Sequence, residues 1–134
     1  MQIMSKSLGD RGETLVAELL HANGWKIVAQ QWRCRWGEID LVACDRQWLI
    51  FVEVKTRSVQ NWDENGTLAI NQQKQVKLIK SASFFLSQHP EFNDLNCRFD
   101  VALISHRPLC HAEDSPDHWS GLYLKEYIEQ AFIP

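Results

Sequence analysis

The spacing of apolar residues along the chain begins on a helical period and then changes to a strand period. Leu8, Leu15, Val16, Leu19 and Leu20 lie on one helical stripe, which predicts a helix over residues 8–23 with Gly24 as its C-terminal stop. From Trp25 to Arg33, Trp25, Ile27 and Ala29 alternate with Lys26, Val28 and Gln30, the pattern of a first strand. Residues 37–57 carry two alternating runs around a polar break at Cys44 to Gln47, which predicts a β-hairpin turning near Asp45-Arg46. Ile39, Leu41 and Ala43 are expected on one face of its first strand, with Asp40 on the other. In its second strand Leu49, Phe51, Glu53 and Lys55 share one face and Ile50, Val52 and Val54 the opposite one. A strand apolar on both faces is a central one.

Beyond a polar loop at 58–69, residues 70–88 predict a second helix with Val76, Ile79, Ala82 or Ser83, and Leu86 buried, ended by His89-Pro90. Residues 97–105 predict a strand in which Phe99, Val101 and Leu103 alternate with Asp100, Ala102 and Ile104. A long loop over 106–120, a last strand over 122–127 and a terminal helical turn over 128–132, with Phe132 docked on the core, complete the chain. Helical and strand periods interleave, so the fold class is α/β.

The central strand raises a chemical question. Glu53 and Lys55 enter a buried environment, where an unpaired charge is costly. A turn near Asp45-Arg46 brings Asp40 opposite or nearly opposite Glu53, and two carboxylates at cross-strand distance repel unless a cation lies between them. A hard cation, Mg²⁺ or Mn²⁺, takes two carboxylates plus a backbone carbonyl such as that of Val54 and keeps several waters. Such an ion lowers the pKa of a water that can attack a phosphodiester, and Lys55 is placed to neutralise the charge developing on phosphorus. The competing reading is a structural salt bridge of Asp, Glu and Lys with no metal.

Asp40 followed by Glu53-Val54-Lys55 at the end of an apolar strand resembles the Asp…Glu-x-Lys signature, PD-(D/E)xK, of the restriction-endonuclease-like nucleases. A wider set of matches resembles the bacterial YraN-like family: Gly12-Glu13, Gly24-Trp25, Gly37-Glu38-Ile39-Asp40-Leu41, Phe51-Val52-Glu53-Val54-Lys55-x-Arg57, a helix with Lys74, Arg98-Phe99-Asp100-Val101 and a terminal Ala131-Phe132. The resemblance covers nearly the whole chain. It implies one restriction-endonuclease-like domain over 1–134, a central mixed sheet flanked by helices, similar to archaeal Holliday-junction resolvases. It also implies that the first helix lends the site an acid, which here is Glu13; a glutamate in the first half of a helix is equally explained by the helix dipole. Glu38 reads as a supporting or structural acid. Asp100, beside Arg98, reads as a further ligand or as half of a structural pair.

The basic residues divide in the same way. In Trp32-Arg33-Cys34-Arg35-Trp36, Arg33 and Arg35 can meet phosphates while the indoles stack on bases, or the indoles can cap the core with the arginines solvated over them. Arg57 and Lys74 are candidate phosphate contacts, and Lys77 and Lys80 recur on the same helix as Lys74.

Composition narrows the setting. A chain of 134 residues with 45% hydrophobic and 23% charged residues is ordinary for one globular domain. A net charge of −3 and a pI near 5.9 argue against non-specific coating of nucleic acid but leave room for a local basic groove. No run reaches membrane-span length and the first residues carry no apolar signal core, so a cytoplasmic protein without membrane association is expected. Cys34, Cys44, Cys97 and Cys110 lack paired spacing and read as reduced thiols; Cys110 with His106, His111 and His118 lacks zinc-site spacing. The expected activity is metal-dependent phosphodiester hydrolysis on DNA, structured or branched, with RNA second. The rivals are a non-catalytic nucleic-acid-binding module on the same fold and a scaffold or interaction protein. A homodimer would suit junction or duplex cutting, and a monomer flaps or ends.

Overall fold

Ser7 opens the first helix by accepting the Asp10 N–H on its hydroxyl at 3.1 Å, and α1 runs Leu8–Ala22. Gly24, at φ +91, takes the left-handed turn that leads into the sheet. The strands follow as β1 (Lys26–Cys34), β2 (Gly37–Cys44) and β3 (Trp48–Ser58). Asn71 caps α2 (Gln72–Gln88) by accepting the Lys74 N–H at 2.8 Å; a 3-10 turn over Pro90–Phe92 leads to β4 (Asn96–His106), and β5 (Leu122–Phe132) ends the fold. This computed structural model describes residues 7–58, 70–107 and 121–133. The expected loops at 58–69 and 106–120 lie almost wholly outside the described residues, as do Cys110, His111 and His118.

The five strands form one mixed sheet in the order β1-β2-β3-β4-β5. Only β3 and β4 are parallel, and α2 lies in the crossover between them, as a parallel pair requires. The expected α/β class and the central position of β3 are borne out. On one face Val16, Ala17 and Leu20 of α1 pack with Leu41, Ala43, Ile50, Val52, Ala102 and Ile104. On the other, Leu78, Ala82 and Phe85 of α2 pack with Ile39, Val42, Leu49, Phe51 and Phe99. β3 is therefore sandwiched between the two helices, as its doubly apolar pattern requires.

Five details differ from the pattern-based expectation. Ile39 sits with the α2-side core while Leu41 and Ala43 face α1, so the alternation breaks at Asp40. The partner strand shows why: Gln31, which the register Gln30↔Leu41 and Trp32↔Ile39 sets opposite Asp40, has φ +50 and kinks the ribbon. A register shift between Ile27 and Ala29 likewise moves Ala29 off Ile27's face. The strand expected to end at Arg33 runs on to Cys34, which pairs with Gly37, so the basic stretch is a tight hairpin with only Arg35 and Trp36 in the turn. The buried stripe of α2 is Leu78, Ser81, Ala82 and Phe85, with Val76 exposed, because Phe85 meets Phe51 and Trp32 edge-on. Finally, residues 128–132 extend β5 instead of forming helix; Phe132 does dock, stacked on Phe99 at 4.8 Å.

Candidate active site

The β2–β3 ladder registers Cys44 with Leu49 through Leu41 with Val52. One residue further the register brings Asp40 opposite Glu53, and there a side chain replaces the backbone acceptor: Asp40 Oδ2 accepts the Val54 N–H at 2.8 Å. The hairpin register is fixed at its other end by Asp45, whose Oδ1 accepts the N–H groups of Gln47 and Trp48 at 2.8 and 2.7 Å. A turn of that chemistry leaves no slack in the strands, so the apposition of the two acids follows from the turn.

The site draws on both helices. Gly12, buried in α1, lies so close to Thr56 on β3 that an added Cβ would overlap the threonine hydroxyl, and this contact seats Glu13 against the sheet. Glu13 Oε1 is buried with no hydrogen-bond partner, as is Thr56 Oγ1. Burial, opposed by a hydrogen bond from Gln31 and reinforced by the charges of Glu38, Asp10 and Glu53, pushes the Glu13 carboxyl up to about 7. Asp40 is pushed up to about 8, first by burial and then by the charge of Glu53; the Val54 N–H opposes this, while Glu13 and Glu38 add to it. From the α2 side, Lys74 Nζ pairs with Glu53 Oε1 at 2.5 Å; the Glu53 side chain is 8% exposed and that of Lys74 43%.

Glu13, Asp40 and Glu53 lie near enough for their charges to act on one another, with Lys55 half-buried two residues along β3 from Glu53 and Lys74 on Glu53 itself. Glu38 is next to them and forms a 3.7 Å ion pair with the exposed Arg33. Arg57 lies exposed further along β3 and donates to the Thr56 carbonyl at 2.9 Å. Arg35 stands in the hairpin turn, its guanidinium 4.2 Å from the Trp36 ring centroid. The indoles of that hairpin pack on α2, Trp32 against Phe84 and Phe85 and Trp36 against Phe84. Asp100 is structural: Arg98 Nε donates to both its oxygens, at 3.0 and 3.1 Å, and Tyr127 and the Gln130 backbone donate as well.

One residue near the acids has no signal in the sequence pattern. Gln31 donates to Asp10 Oδ1 at 2.6 Å and bonds Glu13, from a backbone in the left-handed region. Glutamine seldom adopts that conformation, and only the fold brings residue 31 to α1.

Among the described residues no group of three or more His, Cys, Asp or Glu side chains is arranged to hold a metal ion. The arrangement is a carboxylate pair, to which backbone carbonyl and water oxygens would have to be added, a coordination that Mg²⁺ accepts. Three described cysteines, Cys34, Cys44 and Cys97, are free thiols. Among the described residues no helix is long and apolar enough to cross a membrane.

A mixed sheet with a helix on each face, carrying apposed carboxylates and a lysine on its central strand, defines an α/β protein with a carboxylate–lysine site. The profile of the uncharacterised protein family UPF0102 matches residues 12–104, and the chain belongs to that family. It is similar to a UPF0102 protein of Synechococcus sp. (strain JA-3-3Ab), 58% identical over 103 residues that cover 77% of this chain and 79% of the relative. It is also similar to UPF0102 protein tll1737 of Thermosynechococcus vestitus (strain NIES-2133 / IAM M-273 / BP-1), 43% identical over 128 residues, 95% of this chain and 94% of the relative.

Proposed function

We propose that this protein is a divalent-metal-dependent nuclease of the restriction-endonuclease-like class, hydrolysing phosphodiester bonds of nucleic acid, with DNA as the first expectation. The observation that carries the reading is the apposition of Asp40 and Glu53 where the β2–β3 ladder gives way to a side-chain contact. An acid at Asp40 whose proton is held up by burial and by the charge of Glu53, beside a buried carboxylate oxygen with no partner on Glu13, fits a site for a divalent cation.

Asp40 and Glu53 would hold Mg²⁺ or Mn²⁺. When bound, the ion supplies Lewis acidity toward a water and a phosphate oxygen. Lys55, on Glu53's strand face, neutralises the charge that builds on phosphorus as the nucleophile adds. Glu13, with its carboxyl near 7, takes up or gives back a proton at neutral pH. Arg57 and Lys74, with Arg33 and Arg35 on the hairpin, meet the backbone phosphates and orient the strand. An acidic chain can bind a polyanion through such a local group of cations.

The test is calorimetry of Mn²⁺ with the wild type and with Asp40→Ala. Binding near one ion per chain that disappears in the variant supports the site. The Lys74–Glu53 pair favours a second reading, a nucleic-acid-binding module without catalysis, in which the glutamate already has its counter-ion. That reading predicts no Mn²⁺ binding by the wild type, with or without added DNA.

A further inference from the structure

We infer that Lys74 is a built-in counter-ion that competes with the divalent cation for Glu53, so that the free protein holds metal weakly and phosphate binding makes way for it. The inference rests on the metal-site reading above and concerns how that site is loaded.

The starting point is burial: Glu53 is nearly closed off from solvent, and the Lys74 ammonium already occupies its Oε1. A divalent ion held by Glu53 and Asp40 would lie within a few ångströms of that ammonium. Like charges at such a distance in a half-buried site repel strongly. Both cations cannot stay.

Lys74 is the partner able to leave. It stands in the first turn of α2, with its side chain 43% exposed. The helix is held independently by its Asn71 cap and by Leu78, Ala82 and Phe85 in the core. Swinging the ammonium outward therefore costs side-chain rotation and no repacking. Outside, Lys77 lies exposed one turn further along the same helix, and no acidic residue stands in the first turn of α2. A nucleic-acid phosphate laid along that turn attracts the Lys74 ammonium and frees Glu53. Metal and phosphate then favour each other's binding by the same factor, as linkage requires. Without its polyanion the protein keeps its own cation.

The experiment is calorimetry of Mn²⁺ alone, in the absence of nucleic acid, with the full wild-type chain, Lys74→Met and Lys74→Arg, at one pH and ionic strength. Lys74→Met is expected to bind Mn²⁺ about 10-fold more tightly than wild type, and Lys74→Arg, which keeps the charge, within about 3-fold of wild type. A lysine that merely orients Glu53 predicts the opposite sign, weaker binding in Lys74→Met. Unchanged or weaker binding in that variant overturns the counter-ion role while leaving the metal site standing. No binding by wild type, Lys74→Met or Lys74→Gln, with DNA added as well, removes the metal site itself and this inference with it. Thermal melting of each variant confirms that the chain titrated is folded, and Lys74→Gln, run alongside, keeps the comparison if Lys74→Met does not fold.

Discussion

Asp40 accepts the backbone N–H of Val54 at 2.8 Å, just past the last registered pair of the β2–β3 ladder. A carboxylate thereby does the work of a strand carbonyl. The amide stays satisfied while the ladder gives way, and the acids of both strands remain facing each other. An acid in this position is held by its backbone partner whether or not a cation is present, which makes its protonation the property to measure first.

Stability should fall as pH rises from about 5 to about 8 in the metal-free protein. Asp40 goes up to about 8 and Glu13 to about 7 in the folded state, whereas in the unfolded chain both release their protons at ordinary carboxylate pH. Between those limits the folded state binds more protons than the unfolded one, so each step up in pH favours unfolding. Both groups are half-buried, and solvent screening reduces the effect. Melting in a chelating buffer should show a drop of roughly 5–10 °C across that range. Asp40→Asn keeps an acceptor for the Val54 N–H and should flatten most of the slope. A melting temperature that climbs with pH in the wild type would contradict the buried acid pair.

Lys55→Ala should reduce turnover by about 100-fold or more while the chain stays folded and Mn²⁺ affinity changes little. The lysine is half-buried at the end of β3, outside both core clusters, and its proposed part is a contact made as charge builds on phosphorus. The comparison is between single-turnover cleavage rates and circular-dichroism melting curves for the same preparations. Equal cleavage by the variant would remove Lys55 from the reaction.

The parts of this fold that could be read in advance are those set by local chemistry. The alternation of β3 placed it at the centre because both of its faces need cover, and the polar break at Cys44 to Gln47 fixed the register that faces Asp40 with Glu53. What escaped is decided by backbone or tertiary contacts. Ile39 changes face because Gln31, a residue with no preference for it, adopts a left-handed backbone across the ribbon. On α2, Val76-Ile79 and Leu78-Phe85 are both acceptable helical stripes, and rings from β1 and β3 choose between them. β5 continues to Phe132 because Asp100 captures the N–H of Gln130, which has φ +50, and so holds the irregular stretch against β4.

That capture makes Asp100 the residue whose loss should cost the fold most without touching the acids of the site. Its side chain is fully buried and receives Arg98, the Tyr127 hydroxyl at 2.6 Å and the Gln130 N–H at 2.9 Å. Arg98 is itself enclosed between Trp25 and Trp48, with its guanidinium 5.4 and 5.3 Å from the two ring centroids. Asp100→Ala leaves that buried cation without its main partner, at a cost of about 3–5 kcal/mol. Tyr127→Phe removes one hydrogen bond and should cost about 1–2 kcal/mol. Urea unfolding checks both, and an Asp100→Ala loss no larger than that of Tyr127→Phe would mean that the network is not centred on the carboxylate.

The close approach of α1 to β3 gives the last prediction, because it links packing to the position of Glu13. Alanine is the better helix former, and in an open helix Gly12→Ala would stabilise by about 1 kcal/mol. Here the added Cβ meets the Thr56 hydroxyl, and the Thr56 Cβ lies only 3.3 Å from it, so the helix must move away from the strand. Overpacking of this kind costs about 1–3 kcal/mol, enough to cancel the helical gain and reverse its sign. The displaced helix carries Glu13 with it, so the proposed Mn²⁺ binding and nuclease activity should decline along with stability. Thr56→Ala, which removes an oxygen that has no hydrogen-bond partner, should restore much of the loss in the double variant. A double-mutant cycle in urea, with Mn²⁺ calorimetry on the same four proteins, measures both couplings; additive effects in the cycle would show that α1 and β3 are not in the contact on which Glu13 depends.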